Sequence, residues 1–294
     1  MKTLICKLAP VFLAMGSVAQ ASEEKLTTDA PVLWDIPIPF WPGHSLPVTN
    51  SMLMLLLAVI IITVVLRLAT RKMERIPHGL QNLVEWVFET LYNFVEGLTG
   101  KYIARKYFWY FATVFILIFV SNIIGLIPGV GEITYQGKPL LRGVNADMNT
   151  TVFLGFFYAI LWFIWVMKEQ GPWHFITHTF GPKGGLTGAL KYALLPIFFF
   201  VGVIEIVSIC IRPVALAARL FGNIFAGETV LEVMTNTGAL GFLTTLPFMA
   251  LELLVAFVQA LVFLMLTAVF LKTQIGSEED EEEGNKPRNP LPRS

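Results

Sequence analysis

The stretch EIVSICIRPVALAARLFGNIFAGE, residues 205–228, lies inside a long apolar run and yet carries Glu205, Arg212, Arg219 and Glu228. A charge near the middle of a bilayer costs at least ~2.5 to 3.5 kcal/mol on insertion scales, so their accumulation needs a reason. Snorkelling from a helix end is one such reason; it suits Lys272 and stays open for Arg212 and Glu232. It fails for Arg219, which sits well inside its segment. Glu205, Arg212 and Arg219 recur every seven residues, so they drift only about 20° per step and share one helix face. Ala215, Gly222 and Ala226 fill that face, and a strip of small residues suits close approach to another helix. Glu228 falls nine residues past Arg219, on roughly the opposite face.

Working outward, residues 192–235 form one apolar segment and residues 242–272 a second, separated by Asn236–Gly241. As a single helix the first would be about 65 Å long at ~1.5 Å per residue, twice a ~30 Å hydrocarbon core. It must tilt, kink or leave the membrane, and Pro196 and Pro213 offer kinks. If the pair folds as a hairpin near Ala239, Arg219 levels with Gln259, Glu228 with Glu252, and Glu205 with Lys272. The expectation is a hairpin that buries Arg219 among carboxylates. It has the layout of an ion path interrupted by a fixed positive charge.

The rest of the chain places this hairpin in a membrane. Hydrophobic residues make up 55% and charged residues 14%, with a mean hydropathy of +0.67, whereas a soluble chain carries roughly a quarter charged residues. Residues 1–21 read as a secretory signal: Lys2 and Lys7, an apolar core from Leu8 to Val18, and the small-residue site Ala19-Gln20-Ala21. Residues 22–50, rich in Pro and Trp, read as an external segment. Residues 51–68 are apolar and stop at Arg67, Arg71, Lys72 and Arg75, a cluster that marks the cytoplasmic side. In 77–99, Leu80, Leu83, Val84, Val87 and Leu91 recur at helical spacing while Glu85, Glu89 and Glu96 fall elsewhere. That pattern predicts an amphipathic helix along the cytoplasmic membrane surface. Further spans are expected at 108–127 and 151–167, with Lys138 and Arg142 the bases of the external loop between them. Residues 273–294, with Glu278–Glu283, form an acidic cytoplasmic tail. The expected fold is an all-α polytopic membrane protein with about five crossings and one interfacial helix, the N-terminus outside and the C-terminus in the cytoplasm.

Against this frame the motifs carry a resemblance. The run from Pro213 through Arg219, Asn223 and Gly227 to Glu228 resembles the signature of subunit a of F-type ATP synthases. Glu252 and Gln259 match its second helix. Ser121-Asn-Ile-Ile-Gly-Leu-Ile-Pro-Gly129 and Asp147-Met-Asn149-x-Thr151 are weaker matches. The resemblance implies a proton-translocating stator subunit of the Fo (CF(0)) sector in a bacterial inner membrane, with no catalytic site of its own and no cofactor. Its implied partners are a rotating ring of c subunits, the b subunits of the peripheral stalk and the rest of the synthase. Arg219 would attract the ring carboxylate and block a leak between two half-channels; its guanidinium stays protonated at any working pH. Asn223 and Gln259 would orient Arg219 or line the path, Glu228 and Glu252 the outer half-channel, and Glu205 the inner one. The ring subunit's site decides whether H+ or Na+ is the coupling ion. A proton crossing 100 mV releases ~2.3 kcal/mol, so several must pass per ATP.

One departure from the family stands out. Relatives often place a glutamate and a histidine at the positions of Glu228 and Glu252; here both are carboxylates. Two close carboxylates cannot both ionise easily, so the pair is expected to share a proton. The four histidines are His44, His78, His174 and His178. His174 and His178 have zinc-compatible helical spacing, but no Glu-x-x-His pattern or cysteine pair accompanies them, and no metal site is expected. Cys210 reads as a small apolar residue. No basic stripe interleaved with aromatics points to nucleic acid, and no Gly-rich phosphate loop to nucleotide chemistry. A secondary transporter or channel would also bury charges in broken helices, but no inverted repeat is visible.

Overall fold

The computed structural model describes residues 30–37, 45–127, 130, 134–135, 138–180, 195–235 and 241–285. Residues 1–21, read as a secretory signal, His44, residues 236–240 and the side chains of His174, His178 and Glu278–Glu283 lie outside the described residues. Among the described residues six α-helices carry the chain: α1 Asn50–Thr70, α2 Leu80–Thr99, α3 Lys101–Gly125, α4 Met148–Phe180, α5 Leu195–Thr235 and α6 Gly241–Asn285. All but α2 are long and apolar enough to cross a membrane. The chain is an all-α polytopic membrane protein. Among the described residues there are two small antiparallel ribbons, β1 (Val32–Pro37) with β2 (Ser45–Thr49) before α1, and β3 (Thr134–Tyr135) with β4 (Lys138–Pro139) between α3 and α4. The tail read as starting at residue 273 is helical as far as Asn285, because α6 continues through it.

The described chain divides into two compact units. The first takes residues 1–81, 114–151 and 217–261, and the second 82–113, 152–216 and 262–294. In the first, α1 begins at Thr49, whose hydroxyl accepts from the Met52 N–H at 3.4 Å, meeting one of the orphan donors of a helix start. Met54 and Ala58 are fully buried and pack with Ile124 and Val144. The fully buried Asn50 donates from Nδ2 to the Pro139 carbonyl at 3.1 Å, tying the helix start to β4. Ile224, Leu220 and Ala217 line the buried stripe of α5, and Ala256 and Ala260 are buried on α6. Phe115 and Phe119 stack and meet Phe257 of α6 edge-on. Asp147 caps α4: its carboxylate accepts from the Asn149 N–H at 3.2 Å and the Thr150 hydroxyl at 2.9 Å, a favourable charge at a helix N-terminus. Asp147 of the Asp147-Met-Asn149-x-Thr151 stretch therefore has a local structural cause.

The second unit is held by a ladder of polar donors. Tyr158, Trp162, Val166 and Gln170 are four apart on α4 and form one buried ridge. The Tyr158 hydroxyl donates to the Thr267 carbonyl at 2.9 Å and the Trp162 indole to the Phe270 carbonyl at 3.2 Å; the Gln170 amide reaches the Gln274 carbonyl. In lipid no hydrophobic force separates helix from solvent, so such bonds and close packing hold helices together. Tyr107 and Tyr110 pack on Trp165. Glu169 accepts from the Tyr107 hydroxyl at 2.5 Å and pairs with Lys106. The amphipathic α2 buries Leu91 and Val95 and exposes Leu83 and Trp86. It ends at Gly100, whose φ of +91° suits glycine. Lys272 donates to the Leu98 carbonyl at 3.0 Å and so meets the negative end of the α2 dipole. Within α4 the regular dihedrals break at Gly171, with φ +75°, just before Pro172.

Trp162→Phe should lower the thermal stability of the detergent-purified protein by about 1 kcal/mol through one lost hydrogen bond. Trp162→Ala should cost roughly 3 to 5 kcal/mol because a cavity is added; paired thermal melts read both.

Candidate functional site

The C-terminal stretch of α5 presents different residues to different neighbours, because successive helical residues point about 100° apart. Ala217, Leu220 and Ile224 turn inward. Asn223 and Gly227, one turn apart, face α6. The Asn223 amide donates from Nδ2 to the Gln259 Oε1 at 2.6 Å, and Gln259 itself is buried. At Gly227 the absent side chain makes room for a carboxylate: a Cβ there would fall onto the carboxyl atoms of buried Glu252. These two contacts set the antiparallel register of α5 against α6.

Glu228, the next residue, points about 100° round the helix from Gly227. There the loop after β4 supplies Arg142, whose Nε lies 3.8 Å from the Glu228 Oε2. Arg142 is 7% exposed and Glu228 22% exposed, so this pair is largely withdrawn from solvent. The Gly143 backbone N–H also faces the Glu228 carboxylate. A Cβ on Gly143 would collide with Glu228 Oε1. Deeper in the same loop Asn145 donates to the Asn122 Oδ1 at 2.6 Å, and both are buried.

Arg219 differs from the expectation that it is buried among carboxylates. It is exposed, as are Ala218, Gly222 and Ala226 around it. Among the described residues no carboxylate lies within salt-bridge distance of it. The cause is the helical step: with Ala217, Leu220 and Ile224 inward, Arg219 falls on the far side. Glu205 is half-buried and belongs to the second unit. So does Arg212, whose guanidinium lies over the Phe270 ring at 4.7 Å, a cation–π contact.

This arrangement sits inside a family match. A profile described as ATP synthase A chain matches residues 52–272. The chain belongs to the ATP synthase subunit a family. Subunit a of Trichlorobacter lovleyi is 34% identical over 73% of this chain and 82% of its own length. A subunit a of Pelobacter propionicus is 37% identical over 70% and 78%, and that of Campylobacter curvus 34% over 76% and 89%. As a subunit a, the chain is a multi-pass membrane component of the proton-translocating Fo sector.

Within this subunit a, sequence reasoning registered Arg142 only as a base in a loop. Its place against Glu228 follows from a chain reversal through irregular backbone, where no periodicity points a side chain. The available signal was charge: an acidic pair on one hairpin with no histidine asks for a cation from elsewhere.

Gly227→Ala puts a methyl where the Glu252 carboxylate stands. ATP-driven proton pumping in inverted membrane vesicles should fall about ten-fold, since small displacements of functional groups carry large kinetic costs, while immunoblots show the subunit still accumulating.

Proposed function

We propose that this chain is the stator subunit against which a ring of c subunits turns, and that Arg219 is the fixed charge facing each ring carboxylate in turn. The observation that carries this reading is Arg219 standing exposed on a strip of small residues while the other polar groups of the same stretch pack onto α6 and the loop after β4. A guanidinium cannot give up its proton. It attracts an ionised ring carboxylate and separates two half-channels without carrying a proton itself. The small neighbours let a ring helix approach closely.

On one side of this barrier Glu228 and Glu252 line the outer half-channel and share a proton. Asn223 and Gln259, bonded to each other, shape the surface beside Arg219. Glu205 serves the inner half-channel. The chain sits in a bacterial inner membrane with its N-terminus outside and its C-terminus in the cytoplasm, as the basic cluster after α1 favours. It joins the c ring and the b subunits, and nucleotide chemistry belongs to other subunits.

Arg219→Ala should leave a synthase that assembles yet pumps no protons on ATP addition, read by fluorescence quenching in inverted vesicles. Pumping at the parental rate would overturn the reading. Glu252→Gln should change the pH dependence of proton flux between about pH 6 and pH 9, because a shared proton makes the pair titrate together; an unaltered profile would remove the shared-proton relay.

A further inference from the structure

The loop residue Arg142 is, among the described residues, the buried cation beside the doubled carboxylate, and nothing in the path described above employs it. Among the described residues, the charged groups acting on Glu228 are Arg142 from the loop after β4, Glu252 from α6 and Glu232 one turn further along α5; the Gly143 N–H is the remaining polar group facing it. Of these carboxylates, that of Glu228 lies 3.8 Å from the Arg142 Nε. We propose that Arg142 is a positioning residue for ion translocation, supplying the counter-charge that lets Glu228 and Glu252 hold a single exchangeable proton between them. The inference rests on the reading of those two glutamates as the outer half-channel.

The charge count gives the reason. With one proton on the pair, Glu228, Glu252 and Arg142 sum to zero, the state an apolar surround tolerates best. A second proton makes the group cationic, and loss of the first makes it anionic. Arg142 therefore selects the singly protonated pair as the resting state, from which a proton can be received or released. Without it the neutral state needs a proton on each carboxylate, and the pair has no vacancy to accept another. The geometry suits this role: the guanidinium is 7% exposed, so solvent screens it little. Gly143 next to it carries no Cβ that would push the Glu228 carboxylate away.

The test uses the assembled synthase in inverted membrane vesicles, with Arg142→Gln, Arg142→Lys, Glu228→Gln and the double variant Arg142→Gln/Glu228→Gln. Arg142→Gln should lower ATP-driven proton pumping about thirty-fold or more, the scale set by stranding one partner of a buried pair, and should displace the pH profile of pumping. Arg142→Lys should recover most of the rate. The double variant should pump no worse than Glu228→Gln alone, because the stranded carboxylate is gone. Parental pumping and pH profile in Arg142→Gln would overturn the proposal, as would strictly multiplicative losses in the double variant. If Arg142→Gln fails to accumulate, accumulation decides: rescue by the added Glu228→Gln supports the charge pair, and no rescue shows that Arg142 only packs. Arg219→Ala in the same series separates the two levels. Loss of pumping there with no effect of Arg142→Gln sinks only this inference, whereas pumping retained in Arg219→Ala sinks the underlying reading.

Discussion

Glu252 places its carboxylate where a side chain on Gly227 would stand, and that seat brings α6 against α5. It fixes the distance at which α6 passes α5 and the register in which it does so. One turn away the same register lets Asn223 meet Gln259. One residue away it leaves Glu228 turned toward the loop and Arg142. A single missing Cβ thereby lets the Glu252 carboxylate lie against α5 one residue from the Glu228 that meets Arg142. In a bilayer each buried charge must be met by a counter-charge or a proton, and Arg142 is the counter-charge at Glu228.

How much of this was legible in the sequence depends on which contacts were periodic. The apolar runs and the helical spacing of Leu83, Val84, Val87 and Leu91 specify helices because each period is local. Depth pairing across the hairpin followed from the same arithmetic, and Gly227 against Glu252 lies in that register. The exposure of Arg219 did not follow. Charge and segment position say nothing about which side of a helix packs; that is decided by Ala217, Leu220 and Ile224, whose inward stripe needs a neighbour to define it.

Irregular backbone was opaque for a different reason. Arg142 lies between β4 and the capping residue Asp147, in a stretch with no repeat to orient a side chain. The β1–β2 ribbon was hidden by Pro37 and Pro47, because proline removes a ladder donor and argues against a strand. Lys272 was read as a snorkelling helix end, and its actual acceptor, the Leu98 carbonyl, is distant in sequence. In each case the missing information was a long-range partner and not a local preference.

The ladder from α4 to α6 has a consequence for how sequence change is tolerated. Its donors are the side chains of Tyr158, Trp162 and Gln170, but its acceptors are backbone carbonyls at Thr267, Phe270 and Gln274. A carbonyl is offered by every residue type. The two helices therefore divide the constraint unequally: α4 must keep particular chemistry at fixed intervals, while α6 needs only the right bulk and an unbroken helical path. Drift in sequence should run more freely along α6 on this side than along α4, even though the two share every bond of the ladder.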